Sequence, residues 1–182
     1  MAVLTRGCAL ALVAGILAAR SLLLHAGPLT EPQAKASLLF NLAAFVEWPS
    51  TALAGGDRLL ICVAGDPDVI AALQPYEGKA IDGHVIASRA VGDQDDPSGC
   101  HILFVSGARE QALTLVRRAA DQPVLTVGDG AHFVRQGGTV RVFFEESRLR
   151  FEVNTTNAAR TRLKISSRML GLARVVRTTH EF

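Results

Sequence analysis

Residues 102–129 read ILFVSGAREQALTLVRRAADQPVLTVGD: two short, wholly apolar runs on either side of an amphipathic segment. The first run, residues 102–105, has no polar position, as expected of a strand covered on both faces. Residues 109–120 place Leu113, Val116 and Ala120 at helical spacing among charged residues, which predicts a helix with those three side chains inward. Residues 124–127 repeat the buried-strand pattern and end in Gly128-Asp129-Gly130. Buried strands alternating with helices define an α/β arrangement with a largely parallel sheet.

The flanking sequence extends the same alternation. Upstream, residues 59–64 (LLICVA) form a strand, and Gly65-Asp66-Pro67 opens a short helix to about Leu73, with Asp as cap and Pro at the first helical position. Residues 84–88 make a weaker strand, and the polar stretch 92–99 is a loop. Further upstream, Thr30-Glu-Pro-Gln starts a helix whose residues Ala34, Leu38, Leu42 and Phe45 share a stripe beside Leu39, Ala43 and Val46; it is expected to stop at Trp48-Pro49. Downstream, residues 139–144 and 149–153 are strands of a hairpin turning at 145–148. Asn154 or Thr155 caps a helix through Leu163, and Ser166 or Ser167 caps a last helix through Val176. The expected fold is a single-domain α/β sandwich over residues 27–182, with a largely parallel sheet, a late antiparallel hairpin and flanking helices.

Nineteen Lys and Arg stand against 17 Asp and Glu among 182 residues, a formal charge of +2. Both surplus cations, Arg6 and Arg20, lie in the first 26 residues, so the remainder is neutral. A nucleic-acid binder needs a basic excess to displace counterions from phosphate, and this chain has none. Residues 1–26 read as a secretory signal peptide: Arg6 precedes an uncharged run over 9–19, too short for the roughly 20 apolar residues of a membrane span. Cleavage falls near Ala26, and the competing reading is an uncleaved anchor. The residues before Cys8 do not form a lipobox. After removal of Cys8 with the leader, Cys62 and Cys100 remain; in an exported domain the pair suggests one disulfide, the competing arrangement being two buried thiols that never meet.

Chemistry-bearing patterns are sparse. The predicted strand ends carry Asp66, Ser106 and Asp129, where open α/β sheets bind ligands, but each stands where a helix is expected to begin and reads as an N-cap. Gly128-Asp-Gly-Ala-His-Phe133 starts like a dinucleotide fingerprint and fails at Phe133, where the third glycine should be. No phosphate loop or G-x-S-x-G elbow occurs. His84 and His132 read as strand-end or loop residues, and His101 beside Cys100 does not by itself make a metal site. Asn154-Thr-Thr matches a glycosylation sequon but serves equally as a helix cap. No catalytic residue, cofactor or metal is expected, and a small hydrolase is disfavoured. The final helix places Ile165, Met169, Leu172 and Val176 on one stripe. Leu170 and Val175 lie beyond it and Arg168, Arg174 and Arg177 lie elsewhere, so Arg168, Met169, Leu170 and Arg174, with Trp48, are the candidate partner-binding residues.

Lys35-Ala-Ser-Leu-Leu-Phe-Asn-Leu-Ala-Ala-Phe-Val-Glu-Trp-Pro49 resembles the K-A-x-x-L-x-N-x-A-x-F-x-x-W-P signature of YfiR-type periplasmic proteins. The likeness continues through Ile61-Cys-Val, Gly78-Lys79, Gly83 with Val85, Cys100-His-Ile-Leu-Phe104, Leu125-Thr-Val-Gly-Asp129, Phe151-Glu-Val-Asn154 and residues 163–176, covering about 33–177. The resemblance implies a non-enzymatic, homodimeric periplasmic regulator. It would repress an inner-membrane diguanylate cyclase through that enzyme's periplasmic region, with an outer-membrane lipoprotein as counter-partner, and so control cyclic di-GMP and biofilm formation. A sensor kinase is the other partner class. Cys62 and Cys100 match the family's cysteine pair; the second pair that some relatives carry near the late hairpin is replaced here by Phe143 and Phe144. The competing function is a periplasmic solute-binding or envelope structural module without a cyclase partner.

Overall fold

A computed structural model describes residues 29–107 and 109–177. The expected signal peptide, Cys8 and His180 lie outside the described residues.

The chain opens with α1 (Glu31–Leu42). Thr30 caps it reciprocally: the Thr30 Oγ1 accepts from the Gln33 N–H, and the Thr30 N–H donates to the Gln33 side chain. The helix ends earlier than Trp48-Pro49 predicts. Asn41 Nδ2 donates to the Ser37 carbonyl at 2.7 Å, competing for an acceptor of the helical ladder. Residues Ala43–Phe45 tighten into a 3₁₀ turn, and Val46 is pulled into a two-residue strand, β1 (Val46–Glu47). Its antiparallel partner is β9 (Lys164–Ile165), far along the chain.

Between these lie β2 (Arg58–Ala64), α2 (Pro67–Leu73), β3 (Ala80–Ile81), β4 (His84–Val91), β5 (Ile102–Val105), α3 (Glu110–Arg118) and β6 (Leu125–Gly128), then β7 (Val140–Glu145), β8 (Arg148–Asn154) and α4 (Thr155–Arg160). After β9 come α5 (Ser167–Leu172) and β10 (Arg174–Val176). The main sheet has eight strands in the order β10-β8-β7-β6-β5-β2-β4-β3. Its pairs from β7 through β6, β5 and β2 to β4 are parallel, β7–β8 and β3–β4 are antiparallel, and β10 runs parallel to β8. The expected α/β architecture stands.

Successive residues of the central strands are buried on opposite faces of the sheet, which explains why their sequences show no polar period. Ile61, Val63, Ile102, Phe104 and Val127 face a core closed by Leu39 and Leu42 of α1, Val69 and Leu73 of α2, Trp48 and Met169. Cys62, Ala64, Leu103 and Val105 face a second core closed by Ala112, Leu115 and Val116 of α3 together with Ala119 and Phe133. Each core excludes water from one face of the same sheet. Ala119, just past α3, takes the buried place expected of Ala120, which is only half-buried.

Three local expectations change. The hairpin turns on two residues, Glu146 and Ser147, with φ of 49° and 59°. These are the left-handed values that suit the twist of a two-residue hairpin. The helix after Asn154 stops at Arg160 rather than Leu163, and Arg162 turns the chain at φ 61°. The last helix stops at Leu172, not Val176: Gly171 weakens it, and Val175 and Val176 continue as β10, pairing with Val153 and Asn154 of β8. Leu172 is consequently outside the core, 71% exposed.

Candidate functional site

At the carboxyl ends of the parallel strands, Asp66, Ser106 and Asp129 have different occupations. Asp66 is the N-cap of α2, accepting from the Val69 N–H at 3.1 Å. Ser106 and Asp129 are not caps. α3 begins only after Arg109, which makes no side-chain cap, and a series of turns, not a helix, follows Asp129.

Asp129 instead gathers donors. Lys35 Nζ donates to its Oδ2 at 2.8 Å and the Gly107 N–H to its Oδ1 at 2.6 Å, with the Ser106 hydroxyl 3.4 Å from Oδ2. Lys35 also pairs with Glu31 one turn earlier at 2.7 Å, and its ammonium lies over the Phe104 ring. Burial would lower the Lys35 pKa, but hydrogen bonds to Asp129 and Glu31, with their charges, more than offset that, so it ends above the ordinary 10.5. Lys35 is therefore a cation at neutral pH, and Asp129 is a carboxylate already engaged by three donors. The arrangement fastens α1 over the ends of β5 and β6. Nothing in the sequence pattern paired these two residues, which are 94 positions apart.

The failed dinucleotide fingerprint has a packing explanation. The Phe133 ring is buried against Gly128 and Gly138, and a Cβ at either glycine would collide with it. Phe133 thus fills the space that the two glycines leave beside their backbone. Asn154 is also settled: it is buried, caps α4 through the Thr156 and Asn157 N–H groups, and donates to the Val134 carbonyl. The folded chain holds the sequon asparagine inside. His84 begins β4 half-buried, and His132 lies exposed in the turns after β6. Among the described residues, no group of three or more His, Cys, Asp or Glu is placed to hold a metal ion.

At the other side of the sheet's centre, Cys62 of β2 and Cys100, two residues before β5, are joined by a disulfide with Cα atoms 5.8 Å apart. The Arg89 guanidinium approaches the Cys100 sulfur at 3.7 Å.

The candidate partner residues are divided by the fold. Trp48 and Met169 face the core, and Trp48 Nε1 donates to the His101 carbonyl at 3.2 Å. Leu170 is half-buried against the same core. Arg168 and Arg174 are exposed. Sequence reasoning placed Leu172 on the core stripe, whereas Leu172 and Val175 (45% exposed) leave an uncovered apolar surface at α5 and β10, the edge strand. A recess of about 250 Å³ opens there, lined by Phe143, Glu145, Arg150, Leu172 and Arg174 among others. Arg141 and Arg174 both stack on Phe143, and Arg174 also pairs with Glu145 and Glu152. The signal that could have found this surface is the pair Val175-Val176, which reads as strand once an open edge is available.

The fold and these surroundings define an α/β domain with a covalent cross-link, polar strand ends committed to packing, and an exposed apolar edge. The chain belongs to the YfiR/HmsC-like family, whose model matches residues 32–174. Proteins of this kind are periplasmic regulators rather than enzymes. No curated protein matches the chain. Among the described residues, no helix is long and apolar enough to cross a membrane.

Proposed function

We propose that this chain is a periplasmic regulator that binds the periplasmic region of an inner-membrane diguanylate cyclase and holds it repressed, so that its release raises cyclic di-GMP and favours biofilm. The observation that carries this reading is the family match across 32–174. A homodimer, and an outer-membrane lipoprotein that competes for the regulator, belong to the same proposal. The partner surface is assigned to α5 and β10, where exposed Leu172 and Val175 lie beside Arg168 and Arg174. Apolar anchors rimmed by arginine are the usual composition of an interface centre.

The direct experiment is a pull-down from solubilised membranes, paired with cyclic di-GMP measurement in a strain lacking the gene. The cyclase is expected among the captured proteins, and cyclic di-GMP is expected to rise in the deletion strain. Capture of a sensor kinase instead would redirect the partner class. Unchanged cyclic di-GMP under every envelope stress tried would favour the solute-binding or structural module. The Leu172→Glu variant sharpens the site. Because Leu172 is already in solvent, folding should change by no more than about 0.5 kcal/mol, while a charge driven into an apolar contact should weaken cyclase binding at least about tenfold. Unaltered binding by the folded variant would move the docking surface away from this edge.

A further inference from the structure

His101 stands immediately before β5 with its imidazole buried. The ring makes hydrogen bonds to the backbone of two separate segments. The Leu60 N–H donates to Nδ1 at 3.0 Å, and Nε2 lies 3.1 Å from the Ala52 carbonyl oxygen. A carbonyl oxygen only accepts, so Nε2 carries the proton. Nδ1 receives an N–H, so it carries none. The two bonds together assign a neutral ring in a single tautomer.

The placement gives that ring leverage. In the parallel ladder, the Leu60 N–H would ordinarily find a carbonyl on the neighbouring strand, but β5 has not begun at this level. The imidazole nitrogen substitutes for that carbonyl. The main chain of His101 completes the junction: its N–H donates to the Leu60 carbonyl at 2.9 Å, and its carbonyl accepts from the Leu125 N–H at 2.8 Å and from Trp48 Nε1 at 3.2 Å. One residue therefore ties together β2, β6, Trp48 and the loop over residues 49–57, beside the Cys62–Cys100 bridge.

A second proton would break the Leu60 bond and leave the Ala52 bond in place, because the cation still donates through Nε2. Protonated Nδ1 can no longer accept, and its N–H would point at the N–H of Leu60. The resulting cation would be buried without a counter-ion. Trp48 packs edge-on to the ring, and Ala52, Gln122, Pro123 and Val124 line the small recess beside it; none bears a charge. From β4, the ionisable group acting on the ring is His84, whose own cation repels a second one. Burial above all, with His84 adding to it and the Ala52 hydrogen bond opposing it, holds His101 below its ordinary 6.5.

We propose that His101 is a proton-operated latch: neutral, it bridges the 49–57 loop to the end of β2 through Ala52 and Leu60, and protonated, it keeps the Ala52 hydrogen bond but releases Leu60, so that the ring no longer ties that loop to β2. The latch is independent of which partner the α5–β10 edge binds. It would make the conformation of this corner follow mild acidification of the compartment.

Trp48 is the chain's single tryptophan and reports on the corner directly. The experiment is an NMR and fluorescence titration of the purified protein from about pH 7.5 to about pH 4.5, with hydrogen exchange corrected for intrinsic rates. The His101 ring resonances, the Leu60 amide and Trp48 emission should move with one midpoint below 6.5, and exchange over residues 50–57 should quicken roughly tenfold or more. In His101→Asn, whose side-chain oxygen can accept from Leu60 but does not titrate, the loop should stay closed throughout. A ring that titrates while Leu60 and the loop stay unchanged would overturn the proposal, as would a ring that does not titrate in this range. So would an unaltered transition in His101→Asn, or its loss in His84→Gln. If His101→Asn does not fold, the wild-type titration decides alone.

Discussion

Lys35 and His101 are both buried bases, and their surroundings drive them in opposite directions. Lys35 lies between two carboxylates, so its charge is retained; the ring of His101 is held by backbone groups and an uncharged recess, so charge is refused. The pH dependences follow with opposite sign. The Lys35 contribution to stability is fully present below 10.5 and is lost as pH rises through its raised folded value. The His101 contribution is present above 6.5 and is lost as pH falls below that value, because the unfolded chain then binds the extra proton. A single group changes stability by at most about 1.4 kcal/mol per pH unit. Asp129→Asn should leave Lys35 buried with only the exposed Glu31 for company, and should cost about 2–3 kcal/mol at pH 7 by urea denaturation. Lys35→Met keeps an apolar stem over Phe104 and leaves Asp129 two donors, so its cost should be smaller. Equal costs, or none, would show that this pair does not fasten α1 to the strand ends.

At the scale of elements, the hairpin and the C-terminal strand show how local preference and long-range pairing trade places. Glu146 and Ser147 both hold left-handed backbone in a turn that favours glycine or asparagine. Ser147→Gly should relieve that conformation and raise stability by roughly 0.5–1 kcal/mol, visible as a higher denaturation midpoint with an unchanged slope. A lower midpoint would mean that the serine side chain stabilises the turn more than its backbone strains it. For β10 the deciding factor is an open edge. Residues 174–176 continue an apolar helical period, but β8 presents unpaired backbone groups at the same place, and hydrogen bonding to them outweighs one further turn of a glycine-weakened helix.

For the whole molecule, the disulfide is a covalent tie across the sheet's centre, joining β2 to the approach to β5 over a sequence separation of 38. Constraining the unfolded chain over a loop of that length stabilises the fold by about 4 kcal/mol on the chain-entropy account. Replacing either cysteine with serine should therefore lower stability by roughly 2–5 kcal/mol, measured by urea denaturation. Thiol labelling of denatured, unreduced protein isolated from cells should find Cys62 and Cys100 unreactive; two reactive thiols would show that the bridge does not form there.

The α/β layering is legible in the chain, because uninterrupted apolar runs at 59–64, 102–105 and 124–127 can be buried only by covering both faces. Helix starts at Thr30 and Asp66 were legible too, and those at 154–155 and 166–167 to within one residue, because a cap is a bond between residues two or three apart. Cys62 and Cys100 were legible as a pair, and the family signature from Lys35 to Pro49 was legible as a pattern. What the polar residues do depends on packing between distant segments. Asp129 became the receiver for Lys35 rather than a cap, because α1 crosses the strand ends. His101 became a surrogate carbonyl, because the segment before β5 offers Leu60 a ring nitrogen in place of a strand carbonyl. The last residues became a strand with Leu172 in solvent, because the edge of β8 was open. Caps and periodicity act within one or two turns of chain, whereas charges, ring nitrogens and strand edges take their partners from wherever the packed cores bring them.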